Sequence, residues 1–579
     1  MNFNLLSNEI FLAFFEYLNG DDILHAFYGL NARINALLYK QHRCYFFKFS
    51  SLSKPYFDLI CQQHVPMIAD RILALHLSDF KSTPEQINLF VSYISSLRQF
   101  THLRSLSLSY LSSKEILLKI AIELPHLVQL THLKLYTCHF PDYNETDFEL
   151  LTKNIWNLPN LTHCYFRLLQ IKQQPFIILS KISSSVTYLS INPEALNFNS
   201  INRLFQYTPN LKYLHAHIHS SDHNDDYIRS SFSSLTILKI FINAHSSKII
   251  SFLRNTPNLH CLKITMKCCN FIDGYQWEDL IRNYLPKLKT FHLSMGNLSI
   301  IRPMTEEQID EFMNSFGSSF WIDEHRWFFR CMCDKLLIRF ETVSDAFYYI
   351  NNKFPSMFKS IDSQDKTERL HTSMSSFLDV MRFNQSISSK IYFSKLCSVS
   401  VKFPINDQYW SMISNLHQVS SLLLDFSTYF SQSELQALLN RMPDLRSLTI
   451  HQDASLPFPM SLFNCTSSSI YYLYLQYCKH YFNEEDCIIL SHSSLTSQCK
   501  YLDILVKNRE SITIIVNNIT SLYALRARFT DEEIYELKPS RICNNVDDED
   551  IQWLIDHLPS TCTISRDPSG INDIQIWIK

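Results

Sequence analysis

Apolar residues recur along most of this chain in one short pattern, L-x-x-L-x-L. It stands as ILALHL from Ile72, LRSLSL from Leu103, LTHLKL from Leu130, LTHCYF from Leu161, VTYLSI from Val186, LKYLHA from Leu211, LTILKI from Leu235, LHCLKI from Leu259 and LKTFHL from Leu288. After a gap it resumes as LCSVSV from Leu396, VSSLLL from Val419, LRSLTI from Leu445, IYYLYL from Ile470, CKYLDI from Cys499 and, more weakly, ITSLYA from Ile519. The fourth and sixth positions keep the two-residue period of a strand with one buried face, so the residues between and after them take the other face. The copies at Leu103 and Leu130 start 27 residues apart, those at Val186 and Leu211 25, and the next two intervals, to Leu235 and Leu259, are 24 each. Between them lie stretches with helical spacing, such as SKEILLKIAIEL, SINRLFQY, SKIISFLRN and SQSELQALLNRM. The last is predicted to open on a capping box, Ser433 with Gln436. A proline two residues before the leading apolar position, as in LPNL, TPNL, LPKL and MPDL, stops the preceding helix.

No single strand–helix unit of this size can bury its inner face, so neighbours must stack into one continuous core. The period and pattern resemble those of leucine-rich repeats. The resemblance implies an α/β fold: a curved solenoid with a parallel sheet on its concave side and helices on its convex side. The pattern divides the array into a first block over 71–300 and a second over 394–530. Residues 301–393 hold an acidic helix, TEEQIDEFMNSF, with Thr305 and Gln308 as a capping box, then the aromatic run FWIDEHRWFFRCMCDKLLIRF and the hydrophilic SIDSQDKTERLHTS. They are expected to be degenerate repeats with an insertion. Residues 531–579, with DDED from Asp547, a helix to Leu558 and two short strands ending in IQIWIK, are expected to seal the last apolar face.

The start of the chain departs from the repeat. Ile10 to Phe15 are consecutive apolar residues on a helix predicted to begin near Ser7, too apolar around its circumference for a lone surface helix. The spacing resembles the F-box family over residues 1–45. Leu6, Glu9 and Ile10 stand where its Leu-Pro-x-Glu-Ile opening would be, with Ser7 in place of the proline. Phe14, Phe15, Tyr17 and Leu18 match the end of its first helix, and Asp21, Asp22, Ile23 and Leu24 its turn and second helix. Leu30, Asn31, Arg33, Ile34, Leu37 and Leu38 match the third helix, with Asn31 and Ile34 where many members carry Cys and Trp. Residues 46–70 are expected to be a helical linker coupling this module to the repeats.

Composition narrows the chemistry. Apolar residues make up 46% of the 579 and charged ones 18%, which fits a large core rather than disorder. Six glycines leave no glycine-rich phosphate loop of the Rossmann or P-loop kind. A net charge of −3 predicts no nucleic-acid partner. No apolar window is long enough for a membrane span, and MNFNLLSNEI does not read as a signal peptide. An intracellular, reducing location, cytoplasmic or nuclear, with free thiols is expected. The histidines of LHAHIHSSDH (His215, His217, His219 and His223) could reach one metal ion from one strand face, but they alternate with core residues as an exposed face would. Cys268-Cys269 and Cys331-x-Cys333 lack zinc spacing and read as buried free thiols. No metal, cofactor or catalytic constellation is expected, and the chain reads as a non-enzyme.

What remains is surface. The strand positions facing away from the core carry His132, Tyr136, His163, Tyr165, Arg167, Tyr213, His215, His217, Lys239, Phe241, His292, Tyr472 and Tyr474, a set suited to holding a protein. The combined resemblance to F-box/leucine-rich-repeat proteins implies the substrate receptor of an SCF ubiquitin ligase. Leu6, Glu9, Ile10, Phe14, Leu18, Ile23 and Leu24 would dock on a Skp-type adaptor, and through it a cullin–RING ligase, while the repeats hold a target protein for ubiquitin-dependent degradation. The alternative is a repeat-built interaction scaffold whose N-terminal helices cap the solenoid.

Overall fold

The protein is described here from a computed structural model over residues 6–49, 52–139, 145–169, 182–219, 231–267, 271–297, 304–334, 337–343, 357–361, 378–379, 397–402, 416–426, 432–452, 457–529, 549–567 and 573–578. The repeats build two sheets. The first adds strands in chain order from Tyr45–Lys48 to Thr290–Asn297, each parallel to the last. The second does the same from Leu378–Asp379 to Ala524–Phe529. Parallel neighbours need a crossover of a dozen or so residues, and helices such as Phe198–Tyr207, Ser246–Arg254 and Gly274–Tyr284 supply it.

The alternation read from the motif sets which face is buried. In Tyr213–His219, Leu214, Ala216 and Ile218 are buried, while Tyr213, His215 and His217 stay half-exposed. Helix Phe198–Tyr207 turns Ile201, Leu204 and Phe205 into the same core. Each fully buried Leu or Ile contributes on the order of 1.5–3 kcal/mol before entropy is subtracted. The result is an α/β fold with long, mostly parallel sheets, compatible with a leucine-rich-repeat solenoid. No helix among the described residues is long and apolar enough to cross a membrane.

The sheet starts earlier than the repeat motif predicts. Across the boundary between the expected module and linker, Tyr45, Phe47 and Phe49 are buried while Phe46 and Lys48 face out, and this period-two run pairs in parallel with Ile72–Ser78. Helix Lys54–Leu59 then follows inside the linker.

Residues 301–393 also differ. Where repeats are expected, Phe329–Asp334, Leu337–Thr342 and Met357–Ser360 are antiparallel strands that end the first sheet, and among the described residues of this segment only Leu378–Asp379 pairs in parallel, opening the second. Asp334 lies opposite Leu337, a connection far too short for the crossover a parallel strand requires. Thr305 and Gln308 do form a capping box. Ser433 and Gln436 do not, because helix Gln432–Asn440 begins before Ser433. The Gln436 amide instead bridges to the next repeat, accepting from Thr466 N–H at 2.8 Å and donating to the Thr466 carbonyl at 3.1 Å.

At the C-terminus, helix Glu549–His557 precedes the antiparallel strands Thr563–Arg566 and Asp573–Trp577, the latter pairing with Ala524–Phe529. Here two strands are buried on both faces: all six side chains of Tyr501–Val506 and all five of Asp573–Trp577 are covered. The cover comes partly from the other end of the chain. The Trp577 indole packs 5.1 Å from the Phe57 ring and donates to the Leu52 carbonyl at 3.2 Å, and Lys81 reaches Asp503 at 3.8 Å.

Candidate interaction surfaces

Two surfaces gather the residues that could bind a partner. The first is on the N-terminal helices Asn8–Phe15, Gly20–Phe27 and Ala32–Ala36. Phe11 and Phe15 point inward and meet Phe27 edge-on, at 6.0 and 5.1 Å. Arg33 ties the third helix to the first, donating to the Asn8 side chain at 2.8 Å and to the Leu6 carbonyl at 2.5 Å. Asn31 caps the third helix by accepting from Ile34 N–H at 2.9 Å, and Ile34 sits in the core.

With these side chains inside, the opposite side of the first helix carries Ile10 and Phe14, which are 42% and 52% exposed, and Tyr17 in the turn just after it is 88% exposed. The four-residue spacing of Ile10 and Phe14 places them on one face of the helix. Glu9 is exposed beside them, its carboxyl held below the usual range mainly by the Ser7 hydroxyl, then by its own backbone N–H and by Arg33. Leu6 and Leu18 are half-buried. Ile23 and Leu24, which the family resemblance also places against an adaptor, are buried in the module's own core and contribute no surface. The helix turns them inward because Asp22 and His25, their neighbours in sequence, take its exposed side.

The second surface is the sheet face opposite the helices. Register aligns His132, His163, Tyr188 and Tyr213 on four successive strands. Strands lie about 4.8 Å apart, so the flat side chains stack: His132 on His163 at 4.2 Å, His163 on Tyr188 at 5.2 Å, Tyr188 on Tyr213 at 3.9 Å. The next column holds Lys134, Tyr165, Ser190, His215, Lys239, Lys263 and His292. The Lys134 ammonium lies 5.0 Å from the centre of the Tyr136 ring and 5.4 Å from that of Tyr165, and the Lys239 ammonium 5.4 Å from that of Tyr213. Arg167 donates to the Tyr136 hydroxyl at 2.9 Å, and His217 stacks on Phe241 at 5.1 Å.

The structure therefore brings together the first-block residues from His132 to His292. Tyr472 and Tyr474 stand apart on the second sheet, around the buried Tyr501. Sequence reasoning omitted Tyr188, which occupies the third position of VTYLSI just as Tyr213 does in LKYLHA. That shared motif position was the signal for it.

The histidines of this face are tuned by their setting. Burial, then nearby positive charge, holds His76, His215 and His292 below the ordinary imidazole range. The charges are Lys134 and Lys48 for His76, His217 with Lys239 and Lys263 for His215, and Lys263 and Lys239 for His292. Burial and His132 do the same to His163. In an NMR titration these four rings are expected to take up protons below about pH 6.5. Midpoints at or above that value would contradict the burial seen here.

His215 accepts or donates a hydrogen bond with the Ser190 hydroxyl at 3.1 Å, and its ring lies 6.3 Å from that of His217. No group of three potential metal ligands comes together among the described residues. His223, Cys268 and Cys269 lie outside them, and Cys331 is buried.

No protein-family model matches the chain, and no curated protein matches it. Among solved structures, the crystal structure of a TLR13–ssRNA13 complex aligns with 78% of this chain and 68% of that one, at 14% identity and a TM-score of 0.22. A likeness that loose adds nothing to the architecture traced above.

Proposed function

We propose that this protein is a non-catalytic substrate receptor, docking through its N-terminal helices on a Skp-type adaptor of a cullin–RING ubiquitin ligase and holding a target protein on the open face of its repeats. The observation that carries the docking half is the exposed pair Ile10 and Phe14 on a helix whose other side packs Phe11 and Phe15 inward, with Tyr17 exposed just past its end. Large apolar side chains clustered at one surface mark a contact site rather than a random exposure. The F-box-like spacing supplies the kind of partner. The ladder of aromatic, histidine and basic side chains on the sheet supplies the second surface, and the two lie on different elements, as a bridging receptor requires.

The test is the double substitution Ile10→Asp and Phe14→Asp. Both side chains point to solvent, so two carboxylates should leave the helices and the repeat array folded, as circular dichroism would report. Co-purification with a Skp-type adaptor is expected to be lost. An adaptor that stays bound to the double variant would sink the ligase reading. If the parent protein itself recruits no adaptor or cullin, the scaffold reading takes its place.

A further inference from the structure

Among the described residues, the strands of the first sheet place basic side chains in register on its open face. Its central column runs in register as Lys48, His76, Ser107, Lys134, Tyr165, Ser190, His215, Lys239, Lys263 and His292, across the strands from Tyr45–Lys48 to Thr290–Asn297. No carboxylate stands in it. Across the full length of those strands the sequence has a single acidic residue, Glu194, in the irregular stretch between Ile191 and Leu196. The first carboxylate beyond them is Glu341, opposite Ser294 and held by Arg330 at 2.8 Å. The chain as a whole carries a net charge of −3, so this segregation does not follow from composition. The second sheet is built otherwise: there Asp425 faces His451 at 3.4 Å and Asp503 faces Arg526 at 3.4 Å.

We infer that this face binds an extended, Asp/Glu-rich segment of another polypeptide, laid across the strands along the column from Lys134 to Lys263. Lys134 and Lys239 are four strands apart, roughly 19 Å, which about six residues of extended chain would span. Charge complementarity selects an acidic partner and steers its approach. The aromatic rows argue for a polypeptide over a single-stranded nucleic acid. A base-binding platform needs ring faces open for stacking. Here His132, His163, Tyr188 and Tyr213 spend their faces on one another at 3.9–5.2 Å, and Nδ1 of each histidine already meets the hydroxyl of the preceding threonine at 2.9 Å. The ammonium groups of Lys134, Lys239 and Lys263 in the next column are donors suited to carboxylates. The inference deepens the reading of this face as the target-holding surface, and it is independent of the adaptor.

The experiment uses the full chain and a fluorescent peptide of about a dozen residues rich in Asp and Glu, followed by anisotropy. Binding is expected, and it should weaken as salt rises from about 0.05 to 0.5 M, where the screening length falls to a few ångströms. Lys134→Glu with Lys239→Glu should weaken it by about tenfold or more. Lys119→Glu with Lys153→Glu, the same charge change on exposed helix positions, should leave it as in the parent. The inference is overturned if the parent does not bind the peptide, or if the sheet-face pair binds as the parent does. An equal loss from the helix pair, or tighter binding of a single-stranded oligonucleotide at the same face, would overturn it too. Loss of adaptor binding by the Ile10/Phe14 variant should not change any of these results, so the two readings fail separately.

Discussion

Arg526→Ala is expected to destabilise the C-terminal half of the protein by about 3–5 kcal/mol, because it strands buried carboxylates. Arg526 is only 7% exposed, and its guanidinium gathers Asp503 at 3.4 Å, Asp567 at 2.8 Å and Asp573 at 2.5 Å. Arg528 also pairs with Asp573, and Lys81 reaches Asp503 from the first block. Burial already pushes Asp503 up to about 6 against the pull of Arg526 and Lys81. Without the guanidinium only the pull of Lys81 remains, and the carboxyl favours its protonated form still more. A carboxyl whose folded value lies above its unfolded one binds extra protons when folded, so stability falls as pH rises through that value. The deficit of the variant should therefore be largest near pH 8 and shrink as the pH approaches 6. Urea midpoints at the two pH values measure this. A midpoint equal to the parent's, or a deficit independent of pH, would show that the cluster is not the buried network described.

Trp577→Ala should cost a similar amount, about 3–5 kcal/mol, the usual loss for emptying a large buried aromatic site. The side chain is fully covered, and unlike the rest of its strand it belongs to the core of the first block. It is one of the few groups that hold the last strand to the segment before the first repeat, 525 residues away from the carbonyl that its indole N–H meets. The loss should be felt twice. The C-terminal strands lose the cover on their outward face, and backbone amides around helix Lys54–Leu59 should exchange hydrogen faster although none of them has been altered. Trp577→Phe, which keeps a ring against Phe57 but drops the indole donor, should recover most of the stability. Unchanged exchange at residues 52–59 in the alanine variant would mean that the two ends are not coupled through this contact.

Much of the sheet was legible because strand alternation is a local property. Leu214, Ala216 and Ile218 against Tyr213, His215 and His217 can be assigned to faces from the letters alone, and the same holds for the residues from His132 to His292. The apolar first helix was legible as an anomaly, but not which of its side chains would be spent inside. Phe11 and Phe15 turned inward and left Ile10 and Phe14 out, while Ile23 and Leu24 were taken by the module's own core. The antiparallel strands after Phe329 were missed because aromatic and Cys-rich runs carry no parallel or antiparallel label. The strand at Tyr45–Lys48 was missed because it lacks the leading leucine of the motif, although its alternation is clean.

Asp503 and Arg526 mark where local reading stops. The motif position of Asp503 in CKYLDI puts it on the outward face, where a charged residue reads as solvated, yet it is buried. The copy read from Ile519 is in register from Leu522 instead, with Leu525 opposite Leu502, and this sets Arg526 beside Asp503 on the same covered face. Period two dictates which side of a sheet a residue takes, since successive side chains must point to opposite faces. It says nothing about what covers that side. The pattern of the chain was therefore enough for the α/β architecture, the parallel ladder and the candidate binding face. The burial of the outward face of the last strands, the ion cluster it encloses and the exposed pair on the first helix came from contacts between segments far apart in sequence. Such contacts depend on where the whole chain carries each surface, which no window of neighbouring residues encodes.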